Sequence, residues 1–119
     1  MMSEHDEQVA LFDWARASEG RWPELALLHA IPNGGKRNIT VAVKLKAEGV
    51  KAGIPDVCLP VARCGYHGLY IELKHGRNTA KDNQVDWLER LLEQGYYAVL
   101  AWEFEGAKTV IEDYLMEAL

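Results

Sequence analysis

The 119-residue chain is poor in cysteine and in long apolar runs, and each shortage excludes a class of protein. Cys58 and Cys64 are too few for a disulfide framework, and they have no Cys or His partners at zinc-ligand spacing. We therefore expect free thiols in a cytoplasmic protein. Although 49% of the residues are apolar, no run is long enough to span a bilayer, and the first residues show no signal-peptide pattern.

Positive charge is in deficit overall, although it is concentrated in the middle of the chain. The net charge of −5 argues against nucleic acid as a partner if it is taken alone. Acidic residues collect within residues 4–19 and 103–117, whereas residues 29–51 carry five basic side chains and a single glutamate. This distribution favours a local phosphate-binding face, and ordinary charge scatter is the simpler alternative.

The basic middle begins with a glycine-rich turn at residues 32–37. Asn and paired glycines predict a tight turn with positive φ and bare backbone amides, and two basic side chains follow directly. The turn lacks the spacing of a P-loop or a dinucleotide fingerprint, so we expect no nucleotide pocket; a plain turn with solubilising charges is the alternative. The residues predicted to contact phosphate are Asn33, Gly34, Gly35, Lys36, Arg37, Lys44, Lys46 and Lys51.

The stretch Gly68–Lys74 alternates between apolar and polar residues, which predicts a strand with Glu72 and Lys74 on one face. Asp56 opens a second apolar run, residues 57–59, and pairing of the two runs would bring Asp56 close to Glu72. Converging carboxylates repel each other unless a divalent cation such as Mg²⁺ lies between them. Lys74 would then orient or deprotonate a water beside the ion. A hairpin with a solvated Glu–Lys pair is the alternative.

The flanking segments predict helices that carry two further polar side chains on inward faces. Residues 4–18 predict a helix with Glu7 on its apolar stripe, where a carboxylate is paired, metal-linked or at the edge near water. Ser3 is the predicted cap of this helix, and Asn38 is the predicted cap of a helix from Ile39 to about Glu48. Thr79 is the predicted cap of a later helix. Gln84 on that helix would hold a water or a phosphate, or cap the sheet edge. Residues 25–31 form a continuous apolar run of strand length.

Several motifs, in order along nearly the whole chain, resemble the VRR-NUC domain of the PD-(D/E)XK nuclease superfamily. They are residues 29–37 (HAIPNGGKR), residues 46–56 (KAEGVKAGIPD), residues 68–74 (GLYIELK), Gln84 and residues 95–96. The resemblance implies an α/β fold with a restriction-endonuclease-like core, in which helices flank a central mixed sheet. Residues 1–119 would then be one standalone domain, of the kind found in phages and prophages, acting in the cytoplasm of a bacterial or phage-infected cell.

The resemblance also implies a reaction and a role for each site residue. Asp56 and Glu72 would bind Mg²⁺, with Mn²⁺ as a possible replacement, and the Leu73 carbonyl would join them. Lys74 would position the attacking water and stabilise charge on the phosphate. Glu7 would complete the acidic site from the first helix, and Gln84 would support it.

The activity implied by the resemblance is metal-dependent hydrolysis of DNA by a homodimer that resolves four-way (Holliday) junctions. A nuclease with flap or other branched-DNA preference is a second hypothesis. A DNA-binding module that has lost cleavage is a third, although such a module has no reason to keep a costly acidic cluster within a basic surface. A structural α/β protein is a fourth, and it leaves the basic middle and the glycine-rich turn unexplained.

Overall fold

The structure, a computed structural model, describes residues 2–33 and 38–119. In these residues, helices and strands alternate along most of the chain. The helices are α1 (Glu4–Ala17), α2 (Ile39–Ala47), α3 (Asp82–Glu93) and α4 (Glu103–Leu115), with a 3₁₀ helix at Pro23–Leu27. The strands are β1 (His29–Ala30), β2 (Val57–Leu59), β3 (Leu69–Lys74) and β4 (Tyr97–Trp102).

The four strands form one mixed sheet in the order β1-β2-β3-β4. The pairs β1–β2 and β2–β3 are antiparallel, whereas β4 is parallel to β3 and is reached through α3. A parallel pair requires such a crossover, because a tight hairpin joins only antiparallel strands. The mixed sheet flanked by helices confirms the predicted α/β fold class and is consistent with a restriction-endonuclease-like core.

The main core lies between one face of the sheet and the helices α1 and α4. Leu69, Ile71 and Leu73 of β3 are fully buried on this face, and α1 and α4 contribute apolar side chains to the same cluster. Since successive residues of a strand point to opposite faces, Glu72 and Lys74 lie on the other side of β3. That side is met by the first turn of α3, which carries Gln84.

The apolar run at residues 25–31 does not form the single strand that its composition predicts. Residues Pro23–Leu27 form the 3₁₀ helix instead, with Pro23 at its first turn, where a missing N–H costs nothing. Only His29 and Ala30 pair with β2. The prediction was wrong because proline and local i→i+3 bonds competed successfully with sheet pairing over most of the run.

The prediction of Thr79 as a helix cap was also wrong, since α3 begins at Asp82 and Lys81 is its N-cap. The Lys81 N–H donates to Gln84 Oε1 at 2.9 Å, which satisfies one of the free donors at the start of the helix. The caps predicted at Ser3 for α1 and at Asn38 for α2 are both present.

Both cysteines are free thiols, as expected, with Cys58 buried and Cys64 half-buried. No helix within residues 2–33 and 38–119 is long and apolar enough to cross a membrane.

Candidate functional site

Asp56 is held between β1 and β3 by two main-chain hydrogen bonds. Its Oδ2 accepts from the Leu73 N–H at 2.7 Å, and its carbonyl accepts from the Ile31 N–H at 2.8 Å. The preceding connector passes close to α3, because Gly53 has φ +85° and a Cβ there would lie 2.9 Å from the Asn83 side chain. Glycine at this position therefore helps to set the approach of the chain to Asp56.

Glu72 and Lys74 are buried, with only 2% and 5% of their surfaces exposed. The Lys74 Nζ lies 3.2 Å from Glu72 Oε2 and donates to Gln84 Oε1 at 2.8 Å. Burying charges in this way costs free energy, which the Lys74–Glu72 ion pair and the Lys74–Gln84 hydrogen bond offset only in part. The solvated Glu–Lys hairpin is therefore wrong for this chain.

β2 pairs with β3 as predicted, and the carboxyl groups of Asp56 and Glu72 lie close enough to share a hydrogen bond and to repel each other when both are charged. Burial, and then the charge of Asp56, raises the pKa of Glu72 to about 8, and burial also raises the pKa of Asp56. Glu72 Oε1 is buried and accepts no hydrogen bond from the part of the chain that the structure describes, whereas a protonated Glu72 shares a hydrogen bond with Asp56. Two close carboxylates with a free buried oxygen fit a divalent cation such as Mg²⁺ or Mn²⁺, which prefers oxygen ligands.

Gln84 Oε1 accepts two hydrogen bonds and connects the start of α3 to the charged pair of β3. One comes from the Lys74 Nζ at 2.8 Å and the other from the Lys81 N–H at 2.9 Å. The backbone contact fixes the amide, and the amide in turn holds the ammonium. This geometry favours a residue that positions the Lys74 ammonium, a role that the sequence did not specify, and the predicted contact of Gln84 with a water or a phosphate stays a prediction.

Glu7 is buried on α1, as its place on the apolar stripe predicts, and only 6% of its surface is exposed. Its Oε1 accepts from the Phe104 N–H at 3.1 Å, and its Oε2 lies 3.8 Å from His75 Nδ1. Together with Glu103, these side chains form a second cluster in which one ligand atom from each residue lies within 4.8 Å of the others. The structure thus groups Glu7 with His75 and Glu103, and its predicted role at the metal site stays a prediction.

Glu103 completes this second cluster from the first residue of α4 and has a left-handed backbone, with φ +61°. Its Oε2 lies 2.8 Å from His75 Nδ1, and its Oε1 accepts from the Gly76 N–H at 3.1 Å. The Gly76 N–H and His75 keep the pKa of Glu103 below its usual value. The second cluster therefore joins the end of β3 to α1 and α4.

Glu4 is a site residue that the sequence reasoning missed. Burial and the charge of Asp56 raise the pKa of Glu4, whereas Lys74 and His75 act in the opposite direction. Glu4 thus lies within electrostatic range of the site. The available signal was its spacing: Glu4 and Glu7 are three residues apart and share one side of α1. His75 and Glu103 carried no such signal, because only the fold brings them together.

The predicted phosphate-binding residues lie only partly within the described chain. Lys44, Lys46 and Lys51 are exposed, and Asn33 is half-buried. The predicted residues Gly34–Arg37 lie outside the described residues. These three lysines are consistent with an exposed basic surface that begins in α2.

Comparisons with known proteins agree with this architecture. The family model of the VRR-NUC domain matches residues 2–102. A solved structure described as a VRR_NUC domain protein has 34% sequence identity and a TM-score of 0.83, and the match covers 98% of this chain and 90% of that chain. A comparison with curated proteins gave no match. Because the family model spans most of the sequence and the fold agrees over nearly all of it, this chain belongs to the VRR-NUC domain family of PD-(D/E)XK-type nucleases.

Proposed function

We propose that this protein is a divalent-metal-dependent endonuclease that hydrolyses phosphodiester bonds in branched DNA. The observation that carries the proposal is the convergence of Asp56 and Glu72, with Glu72 Oε1 buried and unbonded and the Lys74 ammonium 3.2 Å from Glu72 Oε2. A structural protein gains nothing from such a cluster, because each buried charge costs free energy. Membership of a nuclease family supports the same class of reaction.

The proposed ligands of the cation are the carboxylates of Asp56 and Glu72 and the carbonyl of Leu73. When bound, the cation supplies a Lewis acid for the phosphate and lowers the pKa of a bound water. The Lys74 ammonium orients the attacking water and stabilises negative charge on the phosphate. Gln84 keeps that ammonium in place, and Glu4 adds a carboxylate from α1 that faces Asp56.

We further propose that the exposed lysines bind the DNA backbone and that the preferred substrate is a four-way junction. Contacts to phosphates fix the position of the protein without reading bases, as recognition of a DNA structure requires. Lys44, Lys46 and Lys51 are available for such contacts. A flap or another branched DNA is the alternative substrate, and the same lysines suit it equally well.

Two symmetric cuts across a four-way junction require two active sites related by a two-fold axis, so we propose a homodimer. α2 offers an apolar surface for self-association, since Ile39 and Val43 lie one turn apart and are 82% and 62% exposed. Sedimentation at micromolar concentration should give a dimer, and Val43→Lys should shift it toward monomer. A monomer for the unaltered chain would remove the basis for paired incision.

Cleavage of defined DNA structures tests the proposed reaction. A four-way junction, a flap and a linear duplex are incubated with the protein in Mg²⁺, Mn²⁺ or chelator, and the products are mapped. We expect symmetric cuts in the junction with metal and none with chelator. Asp56→Asn is the matched control, because its amide oxygen still accepts from the Leu73 N–H while the charge is lost.

Other outcomes of this assay decide between the alternatives. Faster cutting of the flap would select the flap nuclease, and cutting of all three DNAs alike would contradict selectivity for structure. Tight binding with no cleavage by the unaltered protein in either metal would select the DNA-binding module.

A further inference from the structure

A groove runs along α1 and ends at the candidate metal site. α1 forms one wall and residues 30–33 form the other, and the groove has a volume of about 940 Å³. Four residues at four-residue spacing extend along one face of α1 over about 18 Å. They are Glu4, Gln8, Phe12 and Arg16. The opposite wall is tied to the site, because the Ile31 N–H donates to the Asp56 carbonyl at 2.8 Å.

The chemistry of the groove changes along its length. Asp56 and Glu4 form the anionic end, where the proposed cation binds. The middle is apolar: Val9 is 45% exposed, and it lines the groove together with Phe12 and Pro32. Arg16 stands at the far end, with its guanidinium carbon 6.0 Å from the centre of the Phe12 ring, and its charge partner among the described residues is Asp13, in an exposed ion pair at 3.4 Å that water screens. A metal-binding end, an aromatic and apolar middle, and a cationic end follow one another.

A single nucleic acid strand has a matching order of phosphate, base and phosphate. We propose that this groove binds an unpaired nucleotide of the strand that is cut, next to the scissile phosphate. Its base stacks on Phe12, and its outer phosphate contacts Arg16. The inference rests on the proposed nuclease function and adds to it the reason for selecting branched DNA.

The occupant is an unpaired nucleotide because the groove receives one strand between two walls. A base that stacks on Phe12 has left its own duplex stack, and leaving costs the least when the base has no partner. Stacking on an aromatic side chain recovers free energy with any base, so the groove selects an unpaired position rather than a sequence. The volume of about 940 Å³ is ample for a nucleotide and leaves room for its sugar and phosphates.

Phe12→Leu tests the stacking contact, because it removes the aromatic face and keeps an apolar side chain of similar size. The matched control is Phe104→Leu, which changes the chain's other phenylalanine outside the groove. Flap and junction DNAs carry 2-aminopurine at successive unpaired positions, and fluorescence is read on binding in Ca²⁺. We expect one position to be quenched by the unaltered protein and by Phe104→Leu, but not by Phe12→Leu.

A second measurement separates stacking from a structural role of Phe12. An abasic site at the quenched position should slow cleavage by the unaltered protein by about tenfold or more, given the usual strength of base–aromatic stacking. Phe12→Leu should cleave the intact and the abasic DNA at similar rates, because the contact is already missing. The Phe104→Leu variant should keep the full difference.

The proposal is overturned if no unpaired position is quenched, or if the abasic site slows Phe12→Leu as much as the unaltered protein. If branched DNA is cleaved at the same rate with and without the base, the proposal that the groove binds a nucleotide is rejected and the nuclease proposal stands. If no DNA is cut, the nuclease proposal fails, and the fluorescence arm still decides whether a base enters the groove.

Discussion

Two clusters of charged side chains lie next to each other at the carboxyl end of β3, and their carboxylates differ in how they are bonded. In the first, which comprises Asp56, Glu72 and Lys74, the Asp56 carboxylate accepts from the Leu73 N–H. Glu72 is buried with one oxygen that accepts no hydrogen bond within the described residues, and its pKa is raised to about 8. In the second, Glu7 and Glu103 each accept a hydrogen bond from a main-chain N–H. The pKa of Glu103 is lowered by its partners. Glu72 thus has an oxygen for a cation, whereas each carboxylate of the second cluster already accepts a main-chain hydrogen bond.

This difference teaches that a group of acidic side chains is not by itself a metal site. The second cluster contains a histidine and two carboxylates at distances that suit a metal, yet each carboxylate also joins separate elements of the fold. A main-chain hydrogen bond of this kind stabilises the fold and does not exclude metal binding, because Asp56 of the first cluster has one as well. A buried carboxylate oxygen that accepts no hydrogen bond is the stronger indication of a binding site, and Glu72 has one.

The largest expected effect is on catalysis, from a change in the first cluster. Lys74→Ala should lower the rate of cleavage by about 100-fold or more, the range for loss of a positioned proton-transfer group. Junction binding should stay within about twofold, because Lys74 is buried and the exposed lysines bind the backbone. Rates and binding are measured on the same DNA after circular dichroism confirms folding.

Lys81→Ala is the control for this change, since Lys81 is exposed and its main-chain N–H, which bonds Gln84, is retained. It should cleave almost normally. Equal losses of binding and cleavage in Lys74→Ala would show that Lys74 is a binding or folding residue.

A second prediction concerns the stability of the metal-free protein as a function of pH. The unfolded chain releases the Glu72 proton near pH 4.5, whereas the folded chain retains it to about pH 8. The contribution of protonated Glu72 to the free energy of unfolding is therefore fully present below its pKa in the unfolded chain. This contribution is lost as the pH rises through the pKa of Glu72 in the folded chain. The free energy of unfolding, measured by denaturation in the presence of chelator, should show this decline between about pH 5 and pH 8.

Matched glutamine variants test whether this decline comes from Glu72. Glu72→Gln should flatten the decline, because the neutral side chain has no proton to lose. Glu105→Gln should leave it unchanged, since Glu105 is exposed on α4 and belongs to neither cluster. A stability curve for the unaltered protein that is already flat over this range would contradict the raised pKa of Glu72.

The smallest expected effect is on stability, from a change in the second cluster. Glu7→Ala should lower the free energy of unfolding by about 1–3 kcal/mol, because it leaves the Phe104 N–H without its acceptor. Glu7→Gln keeps an acceptor oxygen, so it should be more stable than Glu7→Ala and should cleave DNA. Loss of cleavage in a stable Glu7→Gln would instead place the Glu7 charge at the metal site, as the resemblance to the VRR-NUC domain implies.

Local patterns allowed the strand Leu69–Lys74 and the helix ends at Ser3 and Asn38 to be predicted, because alternation and caps depend on neighbours in the sequence. The strand predicted at residues 25–31 and the cap at Thr79 failed where a competing local interaction was stronger. The second cluster was not predicted at all. Glu7, His75 and Glu103 come from three separate elements, and no spacing in the sequence relates them.

The sequence alone determined the alternation of β3, the order of the motifs and the identity of the charged residues on its polar face. Only the tertiary structure decided which carboxylates are bonded, because burial and main-chain donors from α4 and from the end of β3 are set by packing between distant segments. The same packing leaves Glu72 Oε1 without a donor and gives Glu7 the Phe104 N–H. Whether a carboxylate can bind a cation depends on these surroundings, and the position of the residue in the sequence does not specify them.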